Sequence, residues 1–331
     1  MTLKNSKIIA AALSLGLVLT ACGNNTSDEK KTDDNKQTET TEDTKTEDKE
    51  DTEKEDTEDK KEEKEDTADQ ADYDFSVVSR EDGSGTRGAF IELVGLEEEQ
   101  DDGSKEDHTT DDAIVQNSTN AVMTSVAQDP NAIGYISLGS LNDTVKAVKV
   151  EGVEATEENI VDGSYKISRP FNLAYKEDKL NDISKDFLAY CLSTEAQKIV
   201  KEEGYVPLSD TKDYEKAEGL KGSITVAGST SVTPLMEKFI EAYKDLNPDV
   251  QIDLQSTGST AGIQAAIDES ADIAMASREL KDEEKEDLKP EVIATDGIAV
   301  VVNNESKIED LTVEQLRQIF SGEIKNTGDL K

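Results

Sequence analysis

The stretch Ser76–Gly95, SVVSREDGSGTRGAFIELVG, decides the fold class. SVVSR is rich in β-branched residues and predicts a strand, and DGSGT is a turn sequence. RGAFIELVG carries apolar residues at helical spacing and ends in glycine, which predicts a helix. A strand that passes through a glycine-rich turn into a helix is half of a βα unit. The turn also holds Arg80 and Arg87, two of the five arginines in a chain of net charge −39.

The same design recurs along the chain. Further strands are predicted in AIGYISLGSL, SITVAG, VQIDLQS, ADIAMAS and TDGIAVVVNN. Helices are predicted in STNAVMTSVAQ, in STSVTPLMEKFIEAYKDL with Pro234 in the first turn, in the segment after TGSTAG, and in TVEQLRQIF. Strands that alternate with helices in this way predict an α/β fold in which sheets are flanked by helices.

The first 22 residues read as an export signal. Lys4 and Lys7 precede a short apolar run, Ile8–Thr20, which is too short to span a bilayer as a mature helix. The run ends in LTAC, which resembles a bacterial lipobox, so Cys22 is the predicted lipidation site. An ordinary signal peptide with an incidental cysteine is the alternative. Lipidation implies a protein anchored by palmitate-type acyl chains to the outer face of the cell membrane, as in Gram-positive bacteria.

Residues 23–72 form an acidic segment with 22 Asp and Glu against 9 Lys and almost no apolar residue. Such a segment cannot bury enough apolar surface to offset its ordering entropy, which predicts a disordered linker. The fold is therefore expected in residues 73–331.

Charge and composition exclude several functions. An acidic domain does not suit nucleic acid or anionic lipid headgroups as partners. His108, the single histidine, lies in the polar SKEDHTTDD segment, which argues against a histidine metal site or a Ser-His-Asp triad. Cys191 has no partner for a disulfide once Cys22 is modified, and its apolar surroundings predict burial.

Three strand-to-helix turns are rich in hydroxyl residues: VAGSTSVTP, LQSTGSTAG and VSREDGSGTRG. Helix N-termini present unsatisfied N–H groups and partial positive charge, and glycine lets the backbone approach a ligand. MASREL adds Arg278. The P-loop pattern G-x-x-x-x-G-K-[ST] is absent from the sequence, which argues against a P-loop nucleotide site. These features predict a small tetrahedral oxyanion as ligand.

At these residues the chain resembles the phosphate-binding proteins of bacterial ABC importers, which have the two-lobed type II periplasmic-binding fold. The matching segments sample nearly all of residues 73–331; they are ITVAGSTSVTPL, STGSTAGIQAAI, ADIAMASREL, TDGIAVVVN, VVSREDGSGTRGAF, AQDPNAIGYISL and YKISRPFNLAYK. The resemblance implies mixed or parallel sheets flanked by helices, with two crossover strands between the lobes.

The order of the segments differs from the family's usual order. The AGSTSVTP half normally comes first, whereas here the REDGSGTR half does, which predicts a circular permutation. A truncated tandem copy or a gene-model fragment is the alternative. With ISRPFNLAY and GIAVVVN as crossovers, lobe A comprises residues 73–169 plus 299–331, and lobe B residues 170–298.

The resemblance also implies a set of ligand residues. Arg80 would form a guanidinium fork on the anion, and Asp82 would orient it through an ion pair. Arg87 is either part of this site or a surface residue of the first helical turn. The full implied set is Arg80, Ser84, Gly85, Thr86, Thr230, Ser231, Ser259, Ser277 and Arg278.

One position departs from better-known members of the family, in which an aspartate stands at Arg278. That aspartate accepts the ligand's proton and rejects fully ionised sulfate. In this chain another acceptor would be needed, and Glu81, Asp82 and Asp296 are the candidates.

The expected function is that of a monomeric lipoprotein that binds inorganic phosphate without a cofactor or metal and delivers it to ABC permease subunits. A hydrolase that uses Ser84 or Ser229 as nucleophile is an alternative, weakened by the lack of a suitable base. A sensing or adhesion lipoprotein on the same fold is another, because fold alone does not set function.

Overall fold

A computed structural model of the chain describes residues 72–100 and 104–330. The predicted signal peptide with Cys22 and nearly all of the predicted acidic linker lie outside the described residues. No helix in the described ranges has the length and apolar character needed to span a membrane.

Each segment predicted as a strand contains one, and the structure adds strands that the sequence analysis did not predict. They are β1 (Ser76–Arg80), β2 (Glu97–Glu99), β3 (Lys105–Asp107), β4 (Ile114–Gln116), β5 (Ala132–Ser137), β6 (Lys146–Val150), β7 (Ser168–Tyr175), β8 (Gly222–Gly228), β9 (Val250–Ser256), β10 (Ile273–Ala276), β11 (Lys289–Val302) and β12 (Asp310–Leu311). β11 is longer than expected, because the sequence predicts a strand only from Thr295. Its first half pairs with β7, from Lys289 opposite Tyr175 to Gly297 opposite Ser168.

Three of the helices begin at the hydroxyl-rich turns, as predicted, and the structure also contains helices that the sequence analysis did not predict. They are α1 (Gly85–Val94), α2 (Thr119–Gln128), α3 (Glu157–Val161), α4 (Asp182–Cys191), α5 (Thr194–Glu202), α6 (Thr233–Leu246), α7 (Ser259–Ile267), α8 (Asp282–Asp287) and α9 (Val313–Ser321). The Ser84 side chain caps α1 by accepting from the Arg87 N–H. Gly322 closes α9 in the left-handed conformation, as the glycine predicts.

One mixed sheet runs through the molecule in the order β4-β1-β5-β11-β7-β10-β8-β9. β1 lies parallel to β4 and β5, and β8 lies parallel to β9 and β10. β11 is antiparallel to both β5 and β7. The centre of the sheet is therefore formed by the two predicted crossover strands, β7 and β11.

The hydrophobic core divides about these crossovers. One set of buried clusters draws on residues between Phe171 and Ala294. The other draws on residues from Val77 to Ile167 and from Ile298 to Phe320. We call the second set the core of lobe A and the first the core of lobe B. This separation is that of a two-lobed type II fold, while the residue boundaries drawn from the sequence remain a prediction.

The two ends of the described fold lie side by side in lobe A. The Tyr73 N–H donates to Thr327 Oγ1 at 3.1 Å, and the Thr327 N–H donates to the Tyr73 carbonyl. The Phe75 N–H donates to the Lys325 carbonyl at 2.8 Å. The segment between α5 and β8 passes over the surface of lobe B, where buried Asp186 accepts from Tyr214 Oη and the Ala217 N–H.

Candidate functional site

Four helix N-termini converge between the lobes. α1 and α2 belong to lobe A, and α6 and α7 belong to lobe B. Each helix begins directly after a strand, so the sheet edge sets the position of all four ends. We call the side chains of Thr86, Thr119, Thr230 and Ser231 the hydroxyl cluster.

The hydroxyl cluster joins the two lobes. Thr86 Oγ1 lies 2.8 Å from Ser231 Oγ, and Thr119 Oγ1 lies 3.2 Å from Ser231 Oγ and 3.5 Å from Thr230 Oγ1. Thr86, Thr119 and Ser231 are buried. Buried hydroxyls need polar partners, and here they find them mainly in one another. The cluster is therefore a buried polar region between the lobes.

A second group of hydroxyl side chains, those of Ser229, Ser259 and Ser277, lies next to Gly85. Ser229 Oγ donates to Ser277 Oγ at 2.8 Å, and Ser259 Oγ lies 3.4 Å from Ser277 Oγ. A Cβ atom on Gly85 would stand only 2.3 Å from Ser259 Oγ and 2.6 Å from Ser277 Oγ. Glycine is thus required for lobe A to approach lobe B this closely.

Backbone N–H groups beside the hydroxyl cluster are available to donate to a ligand. Within residues 72–100 and 104–330, the N–H groups of Thr86, Thr119, Thr230 and Ser259 find no acceptor. Buried N–H groups are almost always paired in proteins. Open N–H groups and hydroxyls at four helix N-termini form a site suited to an oxyanion.

Arg80 supplies the guanidinium at this site and is 2 % exposed. Its Nη2 donates to Thr230 Oγ1 at 3.0 Å, which links it to the hydroxyl cluster. Nε and Nη2 also donate to the two carboxylate oxygens of Glu81, each at 2.8 Å. The predicted ion pair of Arg80 with Asp82 is wrong, since Glu81 takes this place. Asp82 has a side chain that is 98 % exposed and lies against Arg87 at 3.0 Å.

Arg87, whose role the sequence left open, stabilises the turn between β1 and α1. Its Nη1 donates to the Arg80 carbonyl at 2.8 Å, and its Nε donates to Asp107 at 2.8 Å. Its bonds thus go to the backbone and to carboxylates of lobe A, which makes it a supporting residue of the Arg80 loop.

Arg278 pairs with a carboxylate of its own lobe, and its predicted contact with the anion stays a prediction. Its Nη1 and Nη2 donate to the two carboxylate oxygens of Glu284 at 2.7 and 2.8 Å, and Nη2 also donates to Thr260 Oγ1 at 3.2 Å. The Glu284 carboxylate, which belongs to the same lobe, therefore pairs with the Arg278 guanidinium. Ser277, which precedes Arg278 in the chain, lies in the site, where its hydroxyl contacts those of Ser229 and Ser259.

The three carboxylates considered as proton acceptors are all engaged. Glu81 pairs with Arg80 and Asp82 with Arg87. Asp296 is buried on β11, where it pairs with Arg169 at 3.0 Å and accepts from Ser137 Oγ at 3.0 Å. Burial raises the pKa of Asp296 to about 6, although Arg169 and Ser137 act against this rise. In the described part of the chain, no carboxylate bonds to the hydroxyl cluster.

Thr119 is the site residue that the sequence reasoning missed. It follows QNS, a turn without glycine, and so lacks the feature that marked the other turns. The signal was nevertheless present, because Ser118-Thr119 is also a pair of hydroxyl residues between a strand and a helix.

Comparison with known proteins agrees with this geometry. A model of the PBP superfamily domain matches residues 35–195 and 215–327. A protein named phosphate-binding protein PstS 2 from Streptococcus agalactiae is 52 % identical over 256 residues, which cover 77 % of this chain and 87 % of that protein. The chain belongs to the PstS-type phosphate-binding proteins of the PBP superfamily.

A solved structure from this family has the same fold. It is a phosphate-binding protein of a phosphate ABC transporter from Streptococcus pneumoniae, which is 43 % identical and matches with a TM-score of 0.63. The match covers 78 % of this chain and all of that structure. The phosphate-binding protein PstS of Bacillus subtilis is 32 % identical over 152 residues, which are 45 % of this chain and 46 % of that protein.

Proposed function

We propose that this protein captures inorganic phosphate between its two lobes outside the cytoplasm and delivers it to the permease subunits of an ABC importer. The observation that carries the proposal is the convergence of four helix N-termini, a hydroxyl cluster and buried Arg80. The open N–H groups offer the donors that a tetrahedral oxyanion requires. The names of the streptococcal relatives point to the same ligand.

Calorimetric titration of the full chain with phosphate tests this function. We expect binding that Arg80→Ala weakens at least about 100-fold, because a buried charge-assisted contact is lost. Arg317→Ala is the matched control, since Arg317 pairs with Glu314 and Glu323 on the surface. Absence of heat with phosphate at millimolar concentration would contradict the proposal.

A hydrolytic function has less support than binding. Ser84 caps α1, and Ser229 is bonded to Ser277. His108, the one histidine of the chain, lies just after β3 and beside Glu98 of β2. Neither serine therefore has a histidine base, and the related proteins carry binding-protein names.

We further propose that a lipid on Cys22 anchors a monomeric protein to the outer face of the cell membrane, with residues 23–72 as its linker. The lipobox-like LTAC sequence supports the anchor, and the Gram-positive source of the streptococcal relatives fits it. Cys22→Ser should release the protein into the medium of the expressing cells. Retention of that variant in the membrane fraction would refute the anchor.

A further inference from the structure

We infer that Thr119 is a direct anion ligand, whose hydroxyl and backbone N–H both contact the bound oxyanion. The inference deepens the proposed function and rests on it. It adds a fourth helix N-terminus, that of α2, to the three turns that the sequence identified.

The sheet fixes Thr119 beside Arg80. Gln116 ends β4 directly opposite Arg80 in the parallel register with β1. The Gln116 carbonyl accepts from Arg80 Nε at 3.2 Å and from the Glu81 N–H at 3.0 Å. Since Thr119 follows only three residues later, the arginine and the start of α2 are held as one unit.

The Thr119 side chain reaches into the site already described. It is 3 % exposed, and its hydroxyl contacts Ser231 and Thr230, both in lobe B. Helix capping does not require this hydroxyl, because Ser118 Oγ already accepts from the Ala121 N–H at 3.2 Å. A buried hydroxyl without a capping role, directed at two candidate ligand residues, is placed to contact the ligand itself.

Thr119 is also the least committed member of the hydroxyl cluster. Thr230 Oγ1 accepts from the Arg80 guanidinium, and Thr86 and Ser231 share a bond of 2.8 Å. The contacts of Thr119 are longer, at 3.2 and 3.5 Å, so its hydroxyl can turn towards an anion at little cost. Its N–H, without an acceptor in residues 72–100 and 104–330, adds a second donor.

Titration of full-chain variants with phosphate tests the assignment. Thr119→Val keeps the β-branched shape and the N–H but removes the hydroxyl, and we expect phosphate affinity to fall about 10- to 100-fold. Thr119→Ser keeps the hydroxyl and should bind phosphate more tightly than Thr119→Val. Thr124→Val is the matched control, because Thr124 lies on an exposed turn of the same helix, where its hydroxyl donates to the Asn120 carbonyl.

A purely structural role would instead lower the melting temperature of the ligand-free protein. We expect that temperature to stay within about 4 °C of wild type in Thr119→Val. Unchanged phosphate affinity in Thr119→Val, with wild type binding normally, would overturn the inference alone. Failure of wild type to bind phosphate would overturn the proposed function with it.

A measurement on the wild-type chain covers the case in which Thr119→Val does not fold. Amide hydrogen exchange at Thr119 should slow on addition of phosphate, because its open N–H gains an acceptor. Exchange at Thr119 that is unaffected by saturating phosphate would refute the contact.

Discussion

At the scale of single residues, the loop after β1 shows that the sequence can predict the residues of a site without predicting which of them pair with one another. The sequence predicts Arg80 as the guanidinium that faces the anion, and the structure buries it beside the hydroxyl cluster. Its partner is Glu81, because Gly83 adopts φ 83° and the turn leaves Asp82 at the surface. The choice between two adjacent carboxylates depends on turn geometry, which composition does not encode.

The corrected pairing predicts different effects for two neighbouring substitutions. Glu81→Gln should lower the free energy of unfolding by about 1–3 kcal/mol, because buried Arg80 loses a charged partner. Asp82→Asn should leave stability unchanged, since its side chain is exposed. Urea denaturation of the two ligand-free variants measures both values. Equal destabilisation by the two changes would argue against the Arg80–Glu81 pair.

Asp296 gives stability a pH dependence of known sign. Burial raises its pKa to about 6, above that of a carboxyl in the unfolded chain. The folded state therefore binds this proton more tightly, and the stability that Asp296 contributes is lost as the pH rises from about 4 through about 6.

Asp296→Asn removes this titration. We expect the free energy of unfolding of wild type minus that of Asp296→Asn to fall by as much as about 3 kcal/mol between pH 4 and pH 7. Urea denaturation of both proteins at several pH values measures the difference. A difference that does not change with pH would show that Asp296 keeps an ordinary pKa.

At the scale of elements, three of the four helices that carry the site have starts that are easy to foresee. Ser84, Pro234 and Gly258 mark the starts of α1, α6 and α7 through capping and turn chemistry. The length of β11 could not be foreseen in this way. Residues 289–294 extend because β7 offers an antiparallel partner, and pairing between distant strands leaves little local signal.

The start of α1 allows a matched test within one helix. Gly85→Ala should weaken phosphate binding about 10-fold or more, because its Cβ would meet Ser259 and Ser277 and hold the lobes apart. Gly88→Ala should bind like wild type, since its Cβ would lie 3.5 Å from Arg278 Cδ, an ordinary contact. Calorimetry gives the affinities, and equal binding by the two variants would contradict a tight approach at Gly85.

At the scale of the whole molecule, the order of the halves remains a prediction with structural support. The ends of the described fold are hydrogen-bonded neighbours, and the segment that joins α5 to β8 is largely exposed. Both places therefore suit a chain break. The match to S. agalactiae PstS 2 runs through 87 % of that protein, whereas the match to B. subtilis PstS covers 46 % of it. A shared order in the first and a different order in the second would produce this contrast.

A rearranged gene tests the permutation. Joining residue 331 to Tyr73 by a short linker and opening the chain between Glu218 and Gly219 should give a protein that folds and binds phosphate like wild type. Opening α4 between Phe187 and Leu188 is the control, because both side chains are buried and the product should not fold. Failure of the first protein to fold would refute the proposed order.

The two hydrogen bonds between Tyr73 and Thr327 have a mechanical consequence. Tension applied between the two ends of the fold enters lobe A on both sides, and it first separates the paired segments around Asp74 and Asn326. Lobe B is joined covalently to lobe A through β7 and β11, and it lies outside the path of the load. Under tension, the half of the binding site that carries Thr230 and Ser259 would therefore keep its structure until lobe A has come apart.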